Sequence, residues 1–405
     1  MSADLTRRGV PAGGGEATRL CDGCWSGAVS PPEILLIGND PAHGQWSMLQ
    51  YGETLQWALG TLLKDQAKIT LLAAPPRPAS QWLRRTRLGR VIDHYGSRYV
   101  HYPWLLRRRS ADVFHILDHG NGALIRWLDP HRTVITCHDL IPLIFRDIRQ
   151  GFGAGLSAWA FDDALSAMRR ARAILADSPC TRQDLITRAG LPADRIHVVP
   201  LSLDPALRPP VNQEEVVAAR AAFRLPEGLL LLHISHGAFY KNLDGVIQSF
   251  ARVARREQSA YLVRVGTPLS AMHRRLAERL QVSDRLLEVS AMSRDAIRML
   301  YRAVDVLIQP SWYEGMGLPP LEAMASGVPV VVSNRGALPE TVGDAGVVVD
   351  PSDPEAFAGA VDRVLHDAAL RQILRARGLQ RAGEFSRDRL ARQTAEVYRS
   401  VLGHL

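Results

Sequence analysis

The chain predicts an α/β fold of two Rossmann-like domains, each a parallel sheet covered by helices, facing each other across a cleft. Three observations carry this. Short apolar runs alternate with helix-length amphipathic stretches along most of the chain, the pattern of repeated strand–helix units. A break at 202–212, holding Asp204-Pro205 and Pro209-Pro210, interrupts the alternation near its middle. The alternation then restarts and runs to the C-terminus.

Residues 1–32 are rich in Gly, Ala and Ser and read as a disordered lead-in. Arg7 and Arg8 are followed by no apolar core, which argues against a secretory signal. The first domain is expected over 33–205, with strands at 34–38, 69–73, 113–116, 134–138, 173–176 and 196–200. Amphipathic helices at 52–64 and 158–172 lie between them. The second domain is expected over 206–386, with strands at 229–234, 261–265, 286–289, 304–308, 328–332 and 346–349. A helix at about 387–402 occupies the terminal segment, 387–405. Ligands of such sheets sit beyond the carboxyl ends of the strands, so polar residues there are the functional candidates.

Composition narrows the class. The 405 residues are 46% hydrophobic and 22% charged, ordinary for a globular chain of two domains. No run of 18 apolar residues is present, so no spanning helix is expected. The formal net charge is +8, and two arginine clusters, at 82–90 and 102–109, are mixed with Trp, Leu and Tyr. Such clusters are either solvated faces or contacts with an anionic membrane surface. No nucleic-acid-binding module is visible, so nucleic acid is not an expected partner. Cys21-x-x-Cys24 has no second Cys or His pair at finger-like spacing, and Cys137 and Cys180 stand apart. A reducing, cytoplasmic location follows, with peripheral contact at the inner face of a membrane as its variant.

The most informative segment runs from Glu314 to Glu322, where two carboxylates bracket a glycine-rich loop and a proline-started helix. Pro319 and Pro320 suit a first helical turn. The amides of Gly315, Met316, Gly317 and Leu318 then lie at the positive end of a helix dipole, an anion site. An anion site flanked by acids suits a ligand with both phosphates and hydroxyls, because carboxylates accept from hydroxyls. A nucleotide sugar has both. Lys241 follows the strand at 229–234 and precedes Asn242 at a helix start, a placement that favours a phosphate contact. His138 stands at a strand's carboxyl end, as do Asp118 and His119, candidate acceptor contacts. No Asp-x-Asp pair occurs, so Lys241 and the helix N-terminus are expected to neutralise the phosphates' charge without a required metal.

The Glu314–Glu322 segment resembles the Glu-x7-Glu signature of family 4 of the retaining glycosyltransferases, and three later runs match that family in order. These are Gly327-Val328-Pro329, Gly336-Ala337-Leu338-Pro339-Glu340 and Asp344-Ala345-Gly346. The resemblance covers the chain from about Glu33 and is strongest in the second half. It implies the GT-B fold, with the last helix crossing back to the first domain. It implies transfer of a hexose, of mannose or glucose type, from GDP- or UDP-hexose to a hydroxyl of a glycan or lipid-linked acceptor. Cell-surface polysaccharide or glycolipid synthesis is the implied setting, and no cofactor is required. Glu314 would bind sugar hydroxyls, Glu322 the ribose, and Lys241 with the 315–318 amides the diphosphate. His138 would orient the sugar. Ser290, Ala291 and Met292 would meet the base, and the Asn39 loop lies where donor and acceptor meet. His236 stands where many members carry an arginine. Two rivals remain. A glycan phosphorylase of related fold would want a pyridoxal lysine motif, which is not evident. A non-catalytic nucleotide- or membrane-binding subunit would be expected to lose Glu314, Lys241 or His138, and all three are present.

Overall fold

The computed structural model describes residues 30–43, 46–74, 84–148, 154–289 and 293–403. Expectations placed on 1–29, on Trp82 and Leu83 of the first arginine cluster, and on Ser290, Ala291 and Met292 lie outside the described residues.

Two six-stranded, all-parallel sheets form the frame. In the first, β1 (Glu33–Ile37), β2 (Lys68–Leu72), β3 (Val113–Ile116), β4 (Thr133–Cys137), β5 (Ala173–Ala176) and β6 (Ile196–Val198) lie in the order β2-β1-β3-β4-β5-β6. In the second, β7 (Leu229–Ser235), β8 (Ala260–Gly266), β9 (Leu286–Val289), β10 (Val306–Gln309), β11 (Val330–Ser333) and β12 (Val347–Val349) lie in the order β12-β11-β10-β7-β8-β9. The central strands β3, β4, β5, β10 and β11 are buried at every position, as parallel strands covered on both faces must be. The edge strands β2 and β12 are only partly buried. β10 and β11 begin two residues later than the expected runs. Ala303 still closes the preceding helix, donating its N–H to Leu300 O at 2.9 Å, and Pro329 follows the left-handed turn at Gly327 (φ 74°).

The strand orders place the site. In doubly wound sheets the ligand crevice opens where the order reverses. That point falls between β1 and β3 in the first sheet and between β7 and β10 in the second. Asn39 and Asp118 follow β1 and β3, while Lys241 and Glu314 follow β7 and β10.

The helix Arg387–Leu402 crosses back, packs on the helix Trp46–Leu63, and sets Tyr398 OH 2.6 Å from His115 Nδ1. The two interdomain crossings touch, Leu203 N–H donating to Phe385 O at 2.8 Å. Asp204 on the first crossing accepts from Arg298 Nε at 2.8 Å. One apolar cluster is continuous through Leu59, Leu201, Leu203, Leu321 and Leu390. The arginine-rich stretch proves to be an almost unbroken helix. Arg87–Gly96 and Tyr102–Leu106 are joined by a π-helical turn at Ser97–His101. Gly89, Asp93, Ser97, Tyr102 and Leu106 line its buried side, and Leu88, Ile92, Val100 and Trp104 stay exposed.

Candidate active site

The Glu314 loop is built by its own domain first. Gly317 takes a left-handed conformation (φ 88°) that L side chains resist, and the helix Leu318–Ala325 starts from it with prolines in its first turn. The loop's amides therefore sit at a helix N-terminus, as the sequence implies. Glu314 is buried, and its Oε1 accepts from Gln309 Nε2 at 2.9 Å and from Ser311 Oγ at 2.8 Å. Lys241 Nζ donates to both Glu314 oxygens, at 2.8 and 2.7 Å. Two residues singled out separately in the sequence thus form one ion pair at the reversal point. Neither side chain is more than 14% exposed. Such a pair is charge-assisted and geometrically defined, and a diphosphate arriving at Lys241 would compete with the carboxylate for its three donors.

Across the cleft, His138 follows β4 and is buried. Its Nδ1 lies 2.7 Å from Asp177 Oδ2 and its Nε2 lies 2.9 Å from Leu117 O. Both partners are acceptors, so both ring nitrogens donate and the ring is an imidazolium. Burial opposes that charge, but Asp177, by charge and hydrogen bond, and Asp118 outweigh it and push the pKa up to about 9. His138 therefore supplies fixed positive charge and a ring edge, with neither nitrogen left over as a base. Tyr51 packs edge-on against it, with ring centroids 5.2 Å apart.

A cavity of about 680 Å³ gathers His94, Arg98, Asp118, His119, His138 and, from the second domain, His236. Its size is that of a small-molecule site. Asp118 lies at its wall, and its Oδ1 is 3.5 Å from His119 Nδ1. Burial raises the Asp118 pKa, yet the His119 and His138 charges and the Asn39 hydrogen bond outweigh this and hold it below the usual carboxylate range.

Several expected residues are placed differently. Asn39 is buried behind Asp118, donating to its Oδ2 at 2.6 Å and accepting from Asn121 Nδ2 at 2.9 Å, so it orients Asp118 and lies off the cavity wall. Asn242, itself left-handed (φ 54°), uses its side chain to cap the helix Leu243–Arg256 and to donate to Pro310 O and Pro351 O, at 2.8 and 3.3 Å. Its side chain is thus engaged in shaping the Lys241 loop. Burial and the Lys241 charge lower the His236 pKa, and Ala238 N–H donates to its Nδ1 at 3.4 Å. His236 is therefore neutral near pH 7 and is no second cation. Glu322 does not share Glu314's surroundings. It accepts from Tyr301 OH at 2.8 Å and lines a smaller cavity of about 130 Å³ with Ser47, Gln50, Tyr51, Leu318 and Arg387. Burial pushes its pKa up to about 7, against the lowering effect of the Tyr301 bond.

The residues missed in the sequence are partners of those found: Asp177, Gln309, Ser311 and Tyr301. Asp177 had a visible signal, since it follows β5 at a carboxyl end as His138 follows β4. Among the described residues no group of three or more His, Cys, Asp or Glu side chains is arranged to hold a metal ion.

Two doubly wound domains with facing reversal points, a lysine–glutamate pair on one side and a buried imidazolium on the other, define a GT-B glycosyltransferase. Residues 219–381 match the family described as glycosyl transferases group 1, and residues 66–207 match glycosyltransferase family 4. The chain is 33% identical over 333 residues to the O-antigen chain mannosyltransferase B of Escherichia coli, covering 78% of this chain and 82% of that one. It is 34% identical over 331 residues to the D-inositol 3-phosphate glycosyltransferase of Salinispora tropica, covering 78% and 66%. Among solved structures, WaaG, a glycosyltransferase involved in lipopolysaccharide biosynthesis, superposes with a TM-score of 0.68 at 17% identity, over 90% of this chain and 99% of that one. HepE of Anabaena, in complex with UDP and glucose, gives a TM-score of 0.68 at 17% identity over 90% and 98%. At these identities the superpositions speak to the fold. The chain belongs to the group 1 glycosyltransferases.

Proposed function

We propose that the enzyme is a retaining, metal-independent hexosyltransferase using GDP- or UDP-hexose, with mannose the favoured sugar and a glycan or lipid-linked hydroxyl as acceptor. The observation that carries this reading is the Lys241–Glu314 pair at the reversal point, in the same domain as His236, which lines the cavity of His138 and Asp118. Lys241 and the amides of 315–318 hold the diphosphate, and Glu314, freed from the lysine, accepts from sugar hydroxyls. Glu322 accepts from the ribose. Residues 290–292, next in the chain after β9, are assigned to the base. The bond from the anomeric carbon to phosphate breaks as the acceptor oxygen bonds that carbon from the same face. The acceptor proton passes to the leaving phosphate, so no enzyme nucleophile is needed. Names of relatives support mannose: four further matches are called mannosyltransferases.

A thermal-shift panel of GDP-mannose, UDP-glucose and ADP-glucose tests the donor class. The expected result is stabilisation by a GDP- or UDP-sugar, and no response to any of the three would sink the reading. Transfer should persist in excess EDTA, and loss restored by Mg²⁺ would remove the metal-free account. Proton NMR of the new linkage, matching the donor's anomeric configuration, tests retention.

The same reading places the enzyme at the cytoplasmic face of an anionic membrane. Leu88, Ile92, Val100 and Trp104 form an exposed stripe, with exposed Arg85, Arg87, Arg90 and Arg107 to Arg109 around it. The same helix contributes His94, Tyr95 and Arg98 to the acceptor-side cavity. An acceptor held in the bilayer would then reach the cavity beside the surface that carries it.

A further inference from the structure

We propose that Ser178, Thr181, Asp184 and Tyr313 form an interdomain latch that positions the Glu314 loop against His138, and that Ser178 and Tyr313 are positioning residues for transfer. The inference rests on the chain being a glycosyltransferase and is independent of which sugar it moves.

Three successive carbonyls of the loop carry the argument. Glu314 O accepts from Ala337 N–H at 2.9 Å and Met316 O accepts from the Thr341 hydroxyl, both within the second domain. Gly315 O, between them, is held from the other domain. It accepts from Ser178 Oγ at 2.6 Å and from Thr181 Oγ1 at 3.2 Å. The second domain alone thus secures the loop on either side of the Gly315 peptide, and closure secures the middle.

The latch is concentrated at the start of the helix Pro179–Thr187. Ser178 caps that helix, accepting from Thr181 N–H at 3.0 Å while it donates to Gly315. Tyr313 OH donates to Asp184 Oδ2 at 2.6 Å, and Cys180 N–H donates to Glu340 Oε1 at 2.8 Å. Ser178, Thr181, Asp184 and Tyr313 are all buried. Asp177, one residue before Ser178, holds His138. Two adjacent residues of one strand end therefore fix candidate groups from both domains, His138 within the first and the Glu314 loop within the second. The fit leaves no slack at Gly315, where a Cβ would lie 2.1 Å from His138 O. Ser178 and Thr181 hold Gly315 O by neutral hydrogen bonds of modest net strength, so this part of the latch can open for donor entry and product release.

The position of a loop that touches the sugar affects turnover more than affinity. The variants are Ser178→Ala, Tyr313→Phe, which removes only a hydroxyl, and Ser178→Thr, which keeps both cap and hydroxyl. Amide hydrogen exchange of the ligand-free protein is the first readout. Ser178→Ala and Tyr313→Phe should speed exchange in 313–318 roughly fivefold and leave β7 unchanged. Kinetics with whichever nucleotide sugar the wild type turns over is the second. Both variants should lower kcat about tenfold with donor KM within about twofold, and Ser178→Thr should restore it. A larger share of donor should be hydrolysed, water replacing the acceptor hydroxyl to give free hexose, nucleoside diphosphate and a proton. Unchanged exchange in 313–318 overturns the latch, as does a loss of Tm with kcat and KM unaltered. A wild type that turns over no sugar in the panel counts against the proposed donor class, and the exchange measurement still decides the latch.

Discussion

Lys241 is the clearest single test of the site, because its three donors are the charge nearest to Glu314 and its loop follows the strand at the reversal point. A hydrogen bond to a charged group contributes roughly 1.5–3 kcal/mol net, so Lys241→Ala should cut turnover at least about tenfold. Glu314 would also lose its buried cation, and Lys241→Arg, which keeps charge but not the compact ammonium, should recover fold stability better than activity. Steady-state kinetics and a melt on both variants separate these effects. Glu322 predicts a pH dependence. Its folded pKa, about 7, lies above the ordinary glutamate value of 4.5, so the protonated form favours the fold. That contribution is fully present below the unfolded value and is lost as pH rises through about 7. Glu322→Gln should therefore gain on the wild type in Tm as pH rises from about 5 to about 8. A constant difference across that range would count against burial as the cause of the shift.

The Glu314 loop and the Arg-rich helix show how local structure is set by what lies opposite. Gly315 has no left-handed requirement, yet an added Cβ would meet the His138 carbonyl at 2.1 Å and Asp139 Cβ at 2.9 Å. Backbone cannot yield as a flexible side chain would. Gly315→Ala should leave each sheet folded and hold the domains apart, costing activity by about tenfold or more with little change in melting. Small-angle scattering should show the expansion, and an unchanged radius with full activity would contradict it. The helix from Arg87 to Leu106 carries a π-helical turn where the chain passes the cavity, adding one residue to one turn. That insertion keeps Ser97 on Asp40 Oδ2, at 2.6 Å, while Tyr102 OH reaches Gly38 O, at 2.6 Å. The periodicity of an ordinary helix could not satisfy both.

On the proposed reading the assembled protein has two faces with different tasks. One side of the first domain opens to the second across the donor site, and the exposed Leu88–Trp104 stripe with its arginines lies on the helix that walls the acceptor cavity. Each basic residue near an anionic bilayer contributes about 1 kcal/mol, so about five of them give reversible, salt-sensitive attachment. Among the described residues no helix is long and apolar enough to cross a membrane. Vesicles with anionic lipid should float the protein at low salt and release it at high salt. A variant with Arg85, Arg87, Arg107, Arg108 and Arg109 changed to Ser should stay behind while still transferring sugar to a soluble acceptor. Equal flotation of variant and wild type would end the membrane claim and leave the transferase intact.

The sequence by itself determined the strand–helix alternation, the proline-marked break, and the strand-end positions of Lys241, Glu314, His138 and Asp118. These are local properties: apolar runs that must be covered on both faces, glycine and proline where the backbone demands them, polar residues where a strand stops. Only the tertiary structure decided how those ends combine. Lys241 meets Glu314 across 73 residues, His138 meets Asp177 across 39, and Ser178 meets Gly315 across 137. Strand order brings these partners together, and order is a long-range choice among sheets that the alternation permits equally. The same packing reassigned Asn242 to a helix cap, made His138 a fixed imidazolium and left His236 neutral, because burial and neighbouring charge set protonation and neither is written at the residue itself.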